Sequence, residues 1–468
     1  WFTAADDAGL GLFRTDGDTA ITKVMAVTPV VEDSKPHQFI TLSNGLTLFR
    51  GGNTVLPYTR PIIYTTRGTP ETTNYAPIGN SVCFNCVVNV TLSLGSGALI
   101  LSDADARLSY TDGDTHARVV QHPLWPASLK RFPVSKHSLA PLGTNAALFF
   151  TVEQNADLSY SRKLWRTDGT AEGTVLVKTF ALPIPSSTNL SPPGIEALVA
   201  HKQLVYFMGN DGRNGNELWR SDGTDIGTYM VKDLVPGSTN GLIQHITSAR
   251  NQVYFTYTDD YGIYLAKSRG SAKDTMHIAA LPGNATSIQN ATSVNDSLFF
   301  RIGSDLYRSN GQRGDLRRLG RFAFNSLGES SYYRNLPATA LPAAMTAYGD
   351  HLYFVARKGA KDPLQVWRAD TKKNKAEIVS PQFKVRASGA NDVSFAVHAG
   401  RLFLAVMDRE GQNGGIFELR TRGKTMQWVR HTNMSARELH ITGDKMYFAG
   451  LDALYGEEPR VMALPAKP

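Results

Sequence analysis

Leu218-Trp-Arg-Ser-Asp-Gly-Thr-Asp-Ile-Gly-Thr228 is the stretch that decides the fold, because the chain contains it twice. The other copy, Leu164-Trp-Arg-Thr-Asp-Gly-Thr-Ala-Glu-Gly-Thr174, differs at three positions. Weaker copies lie on both sides of this pair, at residues 12–18, 108–114, 306–311 and 366–370. Self-similarity of this kind indicates a repeat architecture for the whole chain.

A second marker gives the length of the repeat. Each copy follows a short apolar run that usually ends in an aromatic side chain. Successive runs end 44 to 57 residues apart, at Phe2, Phe49, Ile100, Phe150, Phe207, Phe255, Phe300, Phe354, Leu404 and Phe448. This spacing is typical of a propeller blade and is long for a two-helix repeat.

Each unit reads as β-structure. In the clearest one, residues 203–207, 217–221 and 228–232 are strand-like runs separated by loop-forming residues. Asp-Gly between such runs is a strong hairpin signal, since both residues tolerate the positive φ of tight turns. No segment has a sustained helical period. The pattern therefore predicts a meander of three or four short strands per unit.

These units predict an all-β chain that forms a β-propeller of about ten blade-like repeats. A separate unit of this size, without a cysteine framework, could not bury enough surface to stand alone, whereas radially packed sheets share their cores. Fewer blades or two smaller propellers are the alternatives. We expect one repeat domain over residues 1–468, with units centred near 1–35, 36–88, 89–135, 136–190, 191–240, 241–283, 284–330, 331–385, 386–432 and 433–468.

The phrase from Glu217 to Gly237 resembles a tandem repeat of bacterial secreted and cell-surface proteins, sometimes labelled hyalin-like. The resemblance is strong over residues 160–237 and fades outward. It implies a β-propeller-like array used for surface binding or assembly, usually without a defined enzymatic activity. No catalytic residues come with it, because the repeated residues look structural.

Composition favours an exported protein, in the extracellular space, on the cell surface or in the periplasm. The mean hydropathy is −0.23, and no apolar run approaches the ~18 residues of a membrane helix. The two cysteines, Cys83 and Cys86, are interpreted as a local disulfide or, alternatively, as free thiols. A zinc half-site lacks a second ligand pair, and a redox centre lacks its usual βαβ context.

The net charge of +8 arises from one part of the chain. Residues 301–375 contain 14 Lys or Arg against 6 Asp or Glu, so the remainder is balanced. One interpretation is a basic sector that binds an acidic glycan, lipid headgroup or protein, and the other is a solvated rim. Its residues are Arg301, Arg308, Arg313, Arg317, Arg318, Arg321, Lys372, Lys373 and Lys375. Nucleic acid is disfavoured, because no nucleic-acid module is recognisable.

Acidic residues recur four positions after the apolar marker and suggest calcium as the one possible cofactor. The doubled pairs Asp6-Asp7 and Asp259-Asp260 are the best candidates, since calcium favours oxygen-rich turns. Capping of a turn by the Asp side chain is the alternative interpretation. No unit matches a known calcium loop.

The repeated residues themselves predict structure rather than chemistry. Trp165, Trp219 and Trp367 are expected to pack between adjacent sheets, and Asp168 and Asp222 to shape the hairpin turns. No nucleophile elbow, zinc-protease motif, P-loop or dinucleotide fingerprint is present in the sequence.

Two functions therefore stand. The first is a non-enzymatic scaffold for a protein partner or surface glycan, with contact loops at residues 77–87, 181–195 and 322–342. The second is a propeller glycoside hydrolase or polysaccharide lyase that acts on an acidic glycan, with a carboxylate pair assembled from distant loops.

Overall fold

The computed structural model is built from β-strands. It describes residues 2–6, 9–15, 21–26, 37–53, 60–66, 74–75, 88–102, 107–112, 118–120, 139–155, 160–182, 198–237, 242–283, 285, 287–323, 345–359, 362, 364–385, 393–408, 414–422, 425–452 and 456–465. Within these ranges the chain forms no α-helix, and hence none long and apolar enough to cross a membrane. Cys83, Cys86, Asp7 and most of the three predicted contact loops lie outside the described residues.

The described strands form ten antiparallel sheets, eight with four strands and two with three. The strands of the first five sheets are β1 (Phe2–Asp6), β2 (Gly9–Thr15) and β3 (Ile21–Ala26); β4 (His37–Thr41), β5 (Thr47–Asn53), β6 (Arg60–Thr66) and β7 (Asn74–Tyr75); β8 (Val88–Leu94), β9 (Gly97–Ser102), β10 (Arg107–Thr111) and β11 (Arg118–Val119); β12 (Leu139–Pro141), β13 (Ala147–Gln154), β14 (Tyr160–Thr167) and β15 (Val175–Leu182); β16 (Val199–His201), β17 (Leu204–Asn210), β18 (Asn216–Ser221) and β19 (Tyr229–Lys232).

The second five sheets continue in the same way. Their strands are β20 (Leu242–Ser248), β21 (Val253–Asp259), β22 (Gly262–Ser268) and β23 (Met276–Ala280); β24 (Gln289–Val294), β25 (Ser297–Ile302), β26 (Asp305–Ser309) and β27 (Arg317–Arg321); β28 (Met345–Tyr348), β29 (His351–Ala356), β30 (Leu364–Asp370) and β31 (Ala376–Val385); β32 (Val393–His398), β33 (Arg401–Val406), β34 (Gly415–Arg422) and β35 (Thr425–Thr432); β36 (Ala436–Thr442), β37 (Lys445–Asp452) and β38 (Gly456–Ala463).

The sheets follow one another as the blades of a β-propeller. Within each sheet the strands pair in chain order, so every sheet is a meander. From the second sheet to the tenth, the first strand of each sheet contacts the first strand of the next, and β1 contacts β38. The nine first strands, β4, β8, β12, β16, β20, β24, β28, β32 and β36, are therefore the inner strands, and the first and last sheets are neighbours. This confirms the predicted all-β propeller class.

The hydrophobic core lies between neighbouring sheets. Phe150 and Phe180 of the fourth sheet pack with Phe207 and Trp219 of the fifth in one buried cluster. The Phe180 and Trp219 rings meet edge to face, with centroids 5.0 Å apart. Such ring pairs stabilise beyond the apolar area that they bury. Trp165 and Trp367 occupy similar buried clusters, so the predicted packing role of the three tryptophans is confirmed.

The repeated phrase ends in a turn closed by its own side chains. Asp222 Oδ1 accepts hydrogen bonds from the Thr224 backbone N–H at 2.9 Å and from Thr224 Oγ1 at 2.7 Å. Ser221 Oγ and Thr228 Oγ1 are 2.6 Å apart across the base of the turn. Asp168 and its neighbours repeat these contacts one sheet earlier. The predicted turn-forming role of both aspartates is thus confirmed.

The same turn also joins neighbouring sheets. Lys178, in the outer strand of the fourth sheet, donates to Asp225 Oδ1 at 2.6 Å and to the Thr228 carbonyl at 3.1 Å. Lys232 of the fifth sheet donates to the Thr275 carbonyl of the sixth at 3.3 Å. The phrase recurs because each turn must close its own sheet and also fit the sheet before it.

Candidate functional site on the inner strands

Two neighbouring inner strands carry similar stretches of sequence that are rich in polar residues. Residues 243–248, in β20, read Ile-Gln-His-Ile-Thr-Ser. Residues 288–293, all but the first of which lie in β24, read Ile-Gln-Asn-Ala-Thr-Ser. The sequence prediction missed this second repeat, because it followed the apolar markers and the Asp-Gly turns. Comparison of the segments before each apolar run would have found it.

The stretch forms a β-bulge in both strands. The register with the neighbouring strand shifts between Gln244 and Thr247, and again between Gln289 and Thr292. Within the bulges, His245 has a φ of 53° and Asn290 a φ of 51°. A positive φ is uncommon outside glycine and costs conformational energy.

The threonine of each bulge binds the strained residue. Thr247 Oγ1 donates to the His245 carbonyl at 3.1 Å, and Thr292 Oγ1 donates to the Asn290 carbonyl at 3.2 Å. Two sheets therefore hold the same local conformation with the same hydrogen bond. Bulges often re-aim a side chain next to a functional site, so this repetition marks the inner strands as candidates.

His245 is held as a neutral imidazole with a defined tautomer. Thr256 Oγ1 donates its one hydrogen to the Gln244 carbonyl at 3.2 Å, so it accepts from His245 Nδ1 at 2.9 Å. Burial lowers the pKa of His245 to about 4, and the ring is therefore uncharged at neutral pH. Nε2 thus carries a lone pair, and no described residue hydrogen-bonds to it.

Asn290 occupies the equivalent position one sheet later. Its Oδ1 accepts from Arg301 Nη1 at 3.1 Å, and Arg301 Nη2 lies 3.3 Å from Gln289 Oε1. Burial lowers the pKa of Arg301 to about 10, which still leaves the guanidinium charged at neutral pH. The site therefore combines an amide and a cation in one sheet with a neutral imidazole in the other.

Serine hydroxyls connect three inner strands at the other end of the stretch. His201 Nδ1 lies 2.9 Å from Ser248 Oγ, and Ser293 Oγ donates to the Ser248 carbonyl at 2.7 Å. Burial, with the nearby Lys202 charge in addition, lowers the pKa of His201. These bonds hold β16, β20 and β24 in a fixed mutual position, which preorganises the polar residues between them.

Several arginines of the predicted basic sector bind within the protein. Arg308 is buried, and its guanidinium donates to the Thr371 carbonyl at 2.6 Å and to Asn374 Oδ1 at 3.1 Å in the next sheet. Arg318 and Arg321 both donate to Asp305 Oδ1, at 2.7 and 3.1 Å. These contacts give the three arginines roles in joining strands and sheets.

Most members of the basic sector lie at the surface. Arg317 Nε is 3.4 Å from Asp315 Oδ1. Arg308 binds the backbone of the turn that carries Lys372, Lys373 and Lys375. The structure therefore brings these three lysines next to the sheet that contains Arg308. The exposed members are Arg313, Arg317, Arg318, Arg321, Lys372, Lys373 and Lys375.

The predicted calcium residues are at different places in the fold. Asp6 ends β1, and Asp260 is exposed. Asp259 Oδ1 accepts from the backbone N–H groups of Tyr261 and Gly262, at 2.8 and 3.0 Å, so this side chain caps its own turn. Across the described part of the chain, no three His, Cys, Asp or Glu side chains converge on a common point.

Comparisons with known proteins add little to the fold. No protein-family model and no curated protein sequence match the chain. A prolyl endopeptidase structure is 12% identical, with a TM-score of 0.39, over 81% of this chain and 55% of that one. The chain thus spans little more than half of that enzyme.

Two further solved structures are similar at the same level. An oligogalacturonate lyase from Vibrio parahaemolyticus is 10% identical over 73% of this chain and 88% of that one, with a TM-score of 0.37. The β-propeller domain of the trilobed protease from Pyrococcus furiosus is 9% identical over 70% of this chain and 95% of that one, with a TM-score of 0.30. Likeness at these TM-scores says nothing of activity.

Proposed function

We propose that this chain is a non-enzymatic binding propeller whose inner strands β20 and β24 hold an acidic surface glycan. The observation that carries the proposal is the repeated bulge, in which His245 and Asn290 adopt the same positive φ in neighbouring sheets. Backbone strain persists where the surrounding structure enforces it, and it clusters at ligand clamps and other functional sites.

The chemistry of the site suits a ligand that is rich in hydroxyl groups. Neutral His245 offers an acceptor at Nε2, and Asn290 offers an amide. A sugar hydroxyl can both donate to the imidazole and accept from the amide. The Arg301 guanidinium is held by Asn290, Gln289 and the Gly303 carbonyl, and its positive charge beside the bulge favours glycans that carry carboxylates or sulfates. Because the same geometry recurs one sheet later, a polymer of repeating units fits better than a single small molecule.

The inner strands contain few acidic residues, so a carboxyl pair for hydrolysis would have to come from the loops. Glycoside hydrolysis by the usual mechanism needs two carboxyl groups that flank the bond to be broken. Among the nine inner strands that the structure describes, only β36 contains an acidic residue, Glu438. The proposal places the protein outside the cytoplasm, in keeping with the resemblance of its repeat to those of secreted and cell-surface proteins. The alternative ligand is a protein.

Calorimetric titration with an alginate oligomer, a polyuronate, tests the proposal, with neutral dextran as the comparison. We expect alginate to bind and dextran to bind more weakly.

His245→Asn installs the residue that the next sheet uses in the same bulge, so the variant can keep the positive φ while the imidazole is lost. Asn290→Gly keeps the positive φ and removes the amide. Each variant should weaken alginate binding by about tenfold, as for the loss of one hydrogen bond.

His398→Ala is the matched control, since it removes a histidine from another inner strand, β32. It should leave the affinity unchanged. The glycan proposal fails if neither polysaccharide binds, or if both bulge variants bind alginate as the unmodified protein does. Shortening of the alginate chains during incubation would contradict the non-enzymatic part and favour the lyase alternative.

A further inference from the structure

Glu217 is a buried carboxylate with one unsatisfied oxygen. It lies in β18, and its side chain is 0% exposed. Oε1 accepts a hydrogen bond from the Val235 backbone N–H at 2.8 Å. Oε2 is buried and has no hydrogen-bond partner among the described residues. A buried polar atom without a partner is costly, and a buried charge is more so.

A second carboxylate lies close by. Asp233 follows β19 and stands two residues before Val235, in the link that leads towards β20. Its Oδ1 is also buried without a hydrogen-bond partner in the described part of the chain. Burial, and in addition the Asp233 charge, raise the pKa of Glu217 to about 7, against the hydrogen bond from the Val235 backbone N–H that lowers it.

A water molecule, a proton or a metal cation could satisfy these oxygens. A water molecule would donate hydrogen bonds to them but would leave both negative charges uncompensated. One proton would neutralise only one carboxylate and would serve both oxygens only if they were in direct contact. A divalent cation would neutralise both. Carboxylate oxygens are hard ligands, which suit Ca²⁺ or Mg²⁺ rather than zinc or copper. Of the two, Ca²⁺ tolerates irregular geometry and completes its shell with backbone carbonyls and water.

We propose that Glu217 Oε2 and Asp233 Oδ1 bind a calcium ion that ties β18 to the link between β19 and β20. This site is distinct from the turns at Asp6 and Asp259, which the sequence suggested. It is also independent of glycan binding. The ion would brace the start of the segment that carries the His245 bulge.

The test is a calcium titration of the full chain after treatment with a chelator. At about pH 8 we expect one-site binding by calorimetry and a higher unfolding temperature with calcium than without it. Both effects should weaken in acid, because protons compete with the metal for carboxylate oxygens.

Variants decide whether these two residues are the ligands. Glu217→Gln keeps an oxygen for the Val235 N–H, and Asp233→Asn changes a partly exposed side chain, so both should fold with an unchanged circular dichroism spectrum. Each should lose the calcium heat and the temperature shift. Asp259→Asn is the matched control and should keep both.

Three outcomes would overturn the site. They are the absence of calcium binding at millimolar concentration, binding that survives in Asp233→Asn, and binding that only Asp259→Asn removes. None of these readouts contains a glycan, so failure of this proposal leaves the proposed function untouched, and the reverse also holds.

Discussion

Gly223 of the repeated turn lies so close to Leu142 of the preceding sheet that a β-carbon there would stand 2.5 Å from Leu142 Cδ2. Gly223 also has a φ of 89°, which disfavours any side chain. A β-carbon at the equivalent Gly270 would likewise stand 2.6 Å from the hydroxyl of Tyr206 in the sheet before it. The glycine of the phrase therefore serves the contact between sheets as well as the turn.

Gly223→Ala should destabilise the protein more than a glycine substitution that is free of contacts. We expect a loss of about 2–4 kcal/mol, from overpacking and an unfavourable φ together. Gly237→Ala is the matched control, because Gly237 has a φ of 69° but a β-carbon there would meet no atom within 4 Å. Chemical denaturation measures both variants, and equal losses would show that the contact with Leu142 is unimportant.

Trp219→Ala should remove a large part of the packing between the fourth and fifth sheets. Trp219 is buried against Phe180, and truncation of a buried tryptophan costs about 3–5 kcal/mol. The denaturation midpoint should fall accordingly. Tyr261→Ala, at a side chain that is 92% exposed, should leave the midpoint unchanged. Similar midpoints for the two variants would argue against a shared core between these sheets.

Glu418 should make the protein sensitive to acid. Burial raises the pKa of Glu418, but hydrogen bonds from Arg401, His431 and Arg420 outweigh it and lower the pKa to about 2. Because the folded pKa lies below the ordinary 4.5, the carboxylate stabilises the fold above about pH 4.5. That stabilisation is lost as the pH falls towards 2.

Glu418→Gln should therefore destabilise the protein at neutral pH by about 3–5 kcal/mol, as for a broken buried ion pair. The difference from the unmodified protein should shrink between about pH 4.5 and pH 2. Asp225→Asn removes the carboxylate of an exposed pair with Lys178 and should cost at most about 1 kcal/mol. Denaturation curves across this pH range check both. A difference that stays constant with pH would contradict the assignment.

Glu217 has the opposite pH dependence when no divalent cation is present. Its folded pKa of about 7 exceeds the ordinary 4.5, so its contribution to stability is complete below about pH 4.5 and is lost as the pH rises through 7. In a chelator, Glu217→Gln should be more stable than the unmodified protein at about pH 8, by up to about 3 kcal/mol. The two should be equal near pH 4. Greater stability of the unmodified protein at high pH would show that the ionised carboxylate is satisfied by other means.

The sequence by itself determined the repeat, the strand class and the role of the recurring residues. Asp222 shapes its turn and Trp219 fills the space between sheets because each role depends on chemistry that is local to one unit. A local pattern that recurs along the chain remains visible in the sequence, however the units are arranged in space.

Only the tertiary structure decided which residues of different units meet. Arg308 looks like one cation in a basic run, yet the packing of two sheets buries it against the backbone of Thr371, 63 positions away. The bulges at His245 and Asn290 and the contact of the Val235 backbone with Glu217 likewise depend on strand register and on the path of the chain after β19. The periodic sequence pattern specifies each sheet. The candidate sites depend instead on contacts between residues that lie far apart in the sequence.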